Sequence, residues 1–134
     1  MRPTIIMNDI RRTSDTANIN HLVVKVHEAN KNWWLDLDTG LPLDTEKLIP
    51  EKLMLIVSEL SEALEGHRKN LMDDKLPHRS MFVVELADAL IRLLDLAGAL
   101  NLDLGGAYTE KMQVNATRLD HTLEHRKGIH GKKF

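Results

Sequence analysis

Two pairs of acidic residues interrupt the two most apolar helical stretches of this chain. Glu59 precedes Glu62 by three positions, and Glu85 precedes Asp88 by the same spacing. Residues three apart in an α-helix share one face, so each pair places two carboxylates side by side. Buried carboxylates without a cationic partner are costly. The pattern therefore predicts two helices that face each other across a cation, with oxygen ligands that suit Mg²⁺ or Mn²⁺.

The composition is that of an ordinary folded domain. Hydrophobic residues make up 43% and charged residues 28% of the chain, which predicts a single domain over residues 1–134. The formal net charge of -2 argues against a nucleic-acid binder, which usually carries a large basic excess. The absence of cysteine excludes disulfides and cysteine zinc sites, and fits a reducing compartment. Since no stretch is long enough to span a membrane, we expect a cytoplasmic protein without a membrane or nucleic-acid partner.

Apolar residues recur at helical spacing along most of the chain, and strand signals are nearly absent. Ser14 and Asp15 offer N-cap side chains, so the first helix is expected to begin there and to run to about Asn30. Residues 32–42 are expected to form a loop, although they carry both tryptophans. Three more helices are expected at about residues 50–69, 81–97 and 107–124, before a basic tail at 125–134. The pattern predicts an all-α antiparallel four-helix bundle, completed by association into a homodimer or homotetramer.

The second and third predicted helices each combine an apolar side with a charged side. On the second helix, Glu59 and Glu62 are expected to face a site while an apolar stripe on roughly the opposite side packs against a core. The members of that stripe are Leu53, Ile56, Val57, Leu60 and Leu64. On the third helix, the charged residues recur at spacings of three and four and form one polar stripe. Within it, Arg92 and Asp95 are expected to form an ion pair beside the site, within the helix or between subunits.

The fourth predicted helix carries a polar face of its own. Lys111, Asn115 and Arg118 stand at positions i, i+4 and i+7, so they share one side of a continuous helix. Two cations that flank an amide suit the binding of a phosphate group.

The residue types in the acidic pairs exclude several kinds of site. A di-iron carboxylate bundle needs Glu-x-x-His pairs, whereas the pairs here are Glu-x-x-Glu and Glu-x-x-Asp. The chain has no Walker loop and no serine in a nucleophile-elbow motif. What remains is a divalent cation that activates water, with phosphate esters or anhydrides as the leading substrates. Two alternatives stay open: a catalytically silent nucleotide-binding protein, and a helical interaction module whose acids bind metal only for structure.

Three sequence motifs together are more specific than any single acidic pair. They are Ser58-Glu59-Leu60-Ser61-Glu62-Ala63, Glu85-Leu86-Ala87-Asp88-Ala89-Leu90-Ile91, and Lys111-Met112 followed by Asn115 and Arg118. In this order and helical placement they resemble the all-α nucleoside triphosphate pyrophosphohydrolases, the family that includes MazG and the dCTP pyrophosphatases. The resemblance covers roughly residues 19–119 and implies a MazG-like bundle.

The resemblance also implies a role for each motif. The implied metal ligands are Glu59, Glu62, Glu85 and Asp88, which hold Mg²⁺ or, as a substitute, Mn²⁺. Either Glu59 or Glu62 orients or deprotonates the attacking water. Lys111, Asn115 and Arg118 help to hold a nucleoside triphosphate, which is cleaved between the α and β phosphates to give the monophosphate and pyrophosphate.

Family members often place a histidine and a following tryptophan near the base, and His27 with Trp33 or Trp34 fits those places. One tryptophan is expected to pack in the core, and stacking of the other on a base can contribute roughly 1–3 kcal/mol. Arg92 stands where several relatives carry a tyrosine, which leaves sugar recognition open. Analogy favours deoxynucleotides such as dCTP, and an enzyme like phosphoribosyl-ATP pyrophosphohydrolase is a further alternative.

Overall fold

Five α-helices and two short 3₁₀ helices make up the regular structure. The computed structural model describes the backbone of residues 3–134 and the side chains of residues 15–134. The elements are α1 (Pro3–Asn30), α2 (Ile49–Lys69), α3 (Met81–Ala99), α4 (Leu104–Thr117), α5 (Leu123–Lys127), and the 3₁₀ helices Lys31–Trp34 and Leu119–His121. Over this described range there is no strand, only two isolated β-bridges, so the all-α prediction is confirmed. None of these helices is both long and apolar enough to cross a membrane.

The contacts of the chain group into two compact units. The central unit is His21–Leu102, which contains the end of α1 together with α2 and α3. The terminal unit combines the chain up to Asn20 with Asp103–Phe134, which contains α4 and α5. Helix α1 contributes residues to both units. The expectation of a single domain over the whole chain stays a prediction.

Proline and asparagine mark the two ends of α2. Pro50 lies in the first turn, where its missing N–H costs no hydrogen bond, as the sequence predicted. Asn70 ends the helix in the left-handed conformation, with a φ of 52°. Beyond it the N–H of Leu71 donates to the carbonyl of Gly66 at 3.0 Å, which satisfies one of the last carbonyls of the helix. The chain therefore turns sharply at the end of α2.

Helix α3 runs antiparallel to α2, and a glycine lets their joined ends approach closely. A Cβ on Gly66 would lie only 2.8 Å from Cβ of Met81, so no larger residue fits there without a shift. Farther from this turn, Glu59 of α2 contacts Arg92 of α3. The contact nearer the start of α2 is thus the one nearer the end of α3, as in an antiparallel pair. The antiparallel pairing thus brings the acidic stretch of α2 level with that of α3.

The apolar stripe of α2 is exposed in the single chain, so no core formed by the described residues of that chain covers it. Only Ile56 of that stripe is half-buried, and α3 carries a similar exposed stripe. The exposed members are Leu53, Val57, Leu60 and Leu64 on α2, and Val83, Leu86, Leu90 and Leu93 on α3. The two helices instead bury their small and acidic residues, with Ala63 and Ala89 at the contact face. In an antiparallel pair, these spacings place both exposed stripes on the same side.

The first helix begins earlier than the sequence predicted. Helix α1 starts at Pro3, so the positions of Ser14 and Asp15 lie within it and not at its N-terminus. The side chain of Ser14 lies outside the described residues. Pro3 is favourable in a first turn, and no glycine or proline follows before Ser14 to interrupt the helix. The predicted end at Asn30 is confirmed.

The start of α4 is fixed by hydrogen bonds within the terminal unit. Asp103 is the N-cap residue, and the amide of Asn20 donates to Asp103 Oδ1 at 2.8 Å. The N–H of Gly105 donates to the side-chain oxygen of Asn20, also at 2.8 Å. The hydroxyls of Thr16 and Thr109 lie 2.6 Å apart. These contacts join the first part of α1 to α4.

The continuous fourth helix that the sequence predicted is interrupted. Helix α4 ends at Thr117, and Arg118 adopts an extended backbone with a ψ of 121°. The Arg118 guanidinium donates to both carboxylate oxygens of Asp120, at 2.9 and 2.6 Å. The N–H of His125 then donates to the hydroxyl of Thr122, which caps α5. The Thr122 hydroxyl thus satisfies a backbone N–H at the start of a separate short helix.

Candidate metal centre and adjoining pocket

Three carboxylates converge between α2 and α3. Glu59, Glu85 and Asp88 each offer one oxygen, and these three atoms lie within 4.8 Å of one another. Glu59 and Glu85 are each only 8% exposed. The spacing of the acidic pairs predicted this convergence, because each carboxylate lies on the face that its helix turns towards the other.

Burial and mutual repulsion raise the pKa values in this cluster. Burial raises the pKa of Glu85 to about 7, and hydrogen bonding with Glu59 and the charge of Glu62 act in the same direction. Burial also raises the pKa of Asp88, as do the negative charges of Glu59 and Asp73. The fourth predicted ligand, Glu62, is exposed and lies beside Glu85 rather than within the converging three. The cluster therefore holds more negative charge than its surroundings neutralise.

The donor set fits a hard divalent cation. All three converging groups are carboxylates, which are the ligands that Mg²⁺ and Mn²⁺ prefer. Ligand oxygens around one octahedral Mg²⁺ lie about 3–4 Å apart, which small side-chain rotations would achieve from the observed spacing. A divalent ion would also relieve the repulsion that raises the pKa of Glu85.

Arg92 contacts the cluster, and the expected Arg92–Asp95 pair is absent from the described residues. The guanidinium Nε of Arg92 lies 2.5 Å from Oε1 of Glu59. The arginine side chain is 42% exposed, whereas that of Glu59 is 11% exposed. Arg92 reaches across to α2 because the acid that shares its own helix face, Asp95, is already held by other groups.

Asp95 is buried and anchors the segment that follows α1. The indole N–H of Trp34 donates to both carboxylate oxygens of Asp95, at 3.1 and 3.0 Å. Nδ1 of His27 lies 2.8 Å from Asp95 Oδ1. Gly98 makes room for this contact, since a Cβ there would lie 2.4 Å from Cβ of His27. His27 is thus a half-buried, hydrogen-bonded side chain of the central unit.

The two tryptophans have different surroundings, as predicted. Trp34 is only 4% exposed and has the ammonium of Lys52 4.4 Å from its ring centroid, a cation–π geometry. Trp33 is 73% exposed. The prediction that one tryptophan belongs to the core is confirmed, and the core residue is Trp34.

A pocket of about 630 Å³ adjoins the carboxylates within the central unit. Glu59, Asp88 and Arg92 are among the residues that line it. Trp33 and Lys52 also line it, together with leucines of the segment 35–43. The sequence did not predict that Lys52, Asn30 and Asn32 line this pocket. Helical spacing relates residues within one helix, and it does not relate the end of α1 to the start of α2. The volume lies within the range of small-molecule sites.

The three predicted phosphate-binding residues all belong to the terminal unit. Lys111 is exposed on α4. Asn115 has a buried side-chain oxygen that finds no hydrogen-bond partner among the described residues. Arg118 lies beyond the helix and pairs with Asp120, so the predicted continuous helical face of three residues was wrong.

Comparison with family models, with curated proteins and with solved structures finds no match to this chain.

The raised pKa of Glu85 predicts an unusual pH dependence of stability. Between pH 4.5 and about 7 the folded state keeps a proton that the unfolded state has released, so the free energy of unfolding falls as pH rises. Without divalent ions, we expect Glu85→Gln to be more stable than wild type by about 1–3 kcal/mol at pH 8, and the difference to shrink towards pH 4.5. Urea unfolding in EDTA at both pH values measures this.

The control for this pH effect is Glu51→Gln, which removes an exposed carboxylate that lines the pocket outside the cluster. Its difference from wild type should stay within about 0.5 kcal/mol over the same range. A difference between Glu85→Gln and wild type that does not change with pH would contradict the raised pKa.

Proposed function

We propose that this chain is a Mg²⁺-dependent nucleoside triphosphate pyrophosphohydrolase, which cleaves its substrate to a nucleoside monophosphate and pyrophosphate. One observation carries the proposal. The oxygens of Glu59, Glu85 and Asp88 converge within 4.8 Å, and two of these residues line a pocket of about 630 Å³. An all-carboxylate cluster beside such a pocket suits a substrate whose phosphates share a divalent ion with the protein. The resemblance of the motifs to the MazG-like family points to the same reaction.

The carboxylates have separate tasks in this proposal. Mg²⁺ bound there would supply positive charge for the phosphates and a bound water of lowered pKa. Glu59, Glu85 and Asp88 hold the ion. Glu62 is exposed beside Glu85, where solvent water reaches it, whereas Glu59 is buried and already paired with Arg92. Of the two candidates for orienting the attacking water, Glu62 is therefore the better one.

Part of the pocket lining suits a nucleobase. Trp33 offers an exposed aromatic ring on the pocket wall, and the neighbouring leucines, including Leu35 and Leu37, add apolar surface. The amides of Asn30 and Asn32 also line the pocket and could hydrogen-bond the edge of a base. Deoxypyrimidine triphosphates such as dCTP remain the first substrates to test, by analogy with the family.

The exposed apolar stripes support self-association of the protein. Together α2 and α3 expose two stripes of aliphatic side chains on one side of the pair, with fractional exposures from 39% at Leu93 to 57% at Leu64. Contiguous exposed apolar patches are common at interaction surfaces. A second copy would cover this face with an equivalent one about a two-fold axis. Four helices, two from each copy, would then form the bundle.

Removal of a metal ligand should abolish the reaction without unfolding the protein. With Mg²⁺ and a panel of nucleoside triphosphates plus phosphoribosyl-ATP, we expect pyrophosphate from wild type. The rate should fall about 100-fold or more in Asp88→Asn, which removes a metal ligand, and in Glu62→Gln, which removes the carboxylate that orients water. Circular dichroism should stay helical, and Glu51→Gln should keep the wild-type rate. Wild-type rates in Asp88→Asn would refute the assignment, and nucleotide binding without product would favour the silent alternative.

The two tryptophans should separate binding from stability. Trp33→Ala should weaken binding of a non-hydrolysable nucleotide analogue about 5- to 100-fold, because a stacked base contributes roughly 1–3 kcal/mol. Its free energy of unfolding should change little. Trp34→Phe keeps an aromatic ring, although a smaller one, and loses the N–H that donates to Asp95, so it should cost about 1–3 kcal/mol of stability. Calorimetry and urea unfolding measure the two effects, and unchanged affinity in Trp33→Ala would contradict the stacking role.

A charge in the exposed stripe should break self-association. Leu60→Glu places a carboxylate in the middle of the apolar face of α2, and sedimentation velocity should detect a smaller species than wild type at equal concentration. The matched control is Leu41→Glu, the same substitution at an exposed leucine of the segment between α1 and α2. A monomeric wild type, or equal effects of both variants, would contradict the proposed interface.

A further inference from the structure

Arg92 is an unusual neighbour for a metal ligand. Its Nε donates to Glu59 at 2.5 Å, and among the described residues this is the only hydrogen bond of the guanidinium. The arginine side chain is 42% exposed and lines the pocket, while its partner carboxylate is 11% exposed. A buried acid is therefore neutralised by a cation that approaches it from the open side.

We propose that Arg92 is a displaceable cation of the metal centre. It pairs with Glu59 while the carboxylates hold no divalent ion, it is released when the ion binds, and it then binds the phosphates of the substrate. This inference rests on the proposed metal site and adds the residue that would regulate its loading.

Arg92 and a divalent ion would compete for the carboxylate of Glu59. Glu59 supplies one of the three converging oxygens, and the same side chain carries the contact with Arg92. A divalent ion that draws Glu59 towards Glu85 and Asp88 also repels a guanidinium at hydrogen-bond distance. Since the arginine has a long, exposed stem, it can leave without disturbing the packing of either helix.

The neighbouring acids determine where the released guanidinium can go. Asp88, one turn earlier on α3, is itself in the carboxylate cluster. Asp95, three positions later, already accepts two hydrogen bonds from Trp34 and contacts His27. With both acids occupied, the guanidinium remains beside the pocket. Its planar fork of donors matches a phosphate group, so substrate phosphates would provide the next anionic partner.

Mn²⁺ binding to the full chain without nucleotide tests the competition. Electron paramagnetic resonance of free Mn²⁺ gives the affinity at pH 7.5. Arg92→Gln should bind Mn²⁺ about 5- to 10-fold more tightly than wild type, because no charged hydrogen bond has to be broken. The matched control is Lys52→Gln, which removes the same charge from the same pocket, although Lys52 lies over Trp34 and not on Glu59. The control should change the affinity less than about twofold.

Inorganic tripolyphosphate tests the second role without involving a base. At saturating Mn²⁺, Arg92→Gln should bind tripolyphosphate about 10-fold more weakly than wild type, because a charged hydrogen bond to phosphate is lost. Arg92→Lys keeps the charge without the planar fork, so both of its affinities should lie between those of wild type and Arg92→Gln. Circular dichroism verifies that each variant is folded.

The outcomes separate this inference from the proposed function. Wild type that binds no Mn²⁺ would overturn both. Wild type that binds Mn²⁺ while Arg92→Gln binds it equally or less tightly would overturn the displaceable cation and leave the metal site intact. If Arg92→Gln and Lys52→Gln changed the Mn²⁺ affinity equally, the effect would come only from the loss of a positive charge near the site. That result would also overturn the displaceable cation. Unchanged tripolyphosphate affinity in Arg92→Gln would overturn the phosphate role.

Discussion

The burial of like charges between α2 and α3 is the constraint on which the central unit depends. Two helices that could have packed through their aliphatic stripes instead meet through Glu59, Glu85 and small residues such as Ala63 and Ala89. That arrangement sacrifices hydrophobic burial and desolvates carboxylates, so its cost has to be offset elsewhere. Arg92 offsets part of it within the chain. The proposed cation would offset the rest, which gives the protein a reason to be more stable with its ion than without it.

The position of the pocket depends on a second buried acid. Asp95 holds the indole of Trp34 and the ring of His27, and through them it fixes the chain that leaves α1 against α3. Trp33, the residue before Trp34, is thereby kept at the pocket wall. Asp95, a carboxylate outside the three-carboxylate cluster, thus joins the tryptophan segment at the pocket to α3, the helix that carries Glu85 and Asp88. Rigid support of this kind is what a binding site requires.

The sequence predicted those parts of the structure that depend on short-range spacing. Helical periodicity located α2 and α3, and the three-residue spacing of the acids predicted a convergence of four carboxylates, of which Glu59, Glu85 and Asp88 meet and Glu62 lies beside them. It could not predict contacts between distant segments, such as Trp34 with Asp95. Arg92 was misassigned for the same reason, since proximity on one helix favoured Asp95 over Glu59 across the interface. The break after Thr117 was missed because helical spacing alone does not show where a helix stops, and no glycine or proline marks this position.

The contrast between the adjacent tryptophans has an optical consequence. The chain contains two tryptophans and one tyrosine, so almost all of its intrinsic fluorescence comes from neighbouring indoles in different surroundings. Trp33 emits from water, where soluble quenchers collide with it, and Trp34 emits from a dry site with its N–H on a carboxylate. One spectrum therefore holds two resolvable signals. Because Trp33 lines the pocket, its red, quenchable component would respond to a molecule bound there, whereas the blue, shielded component of Trp34 would respond to the packing around Asp95.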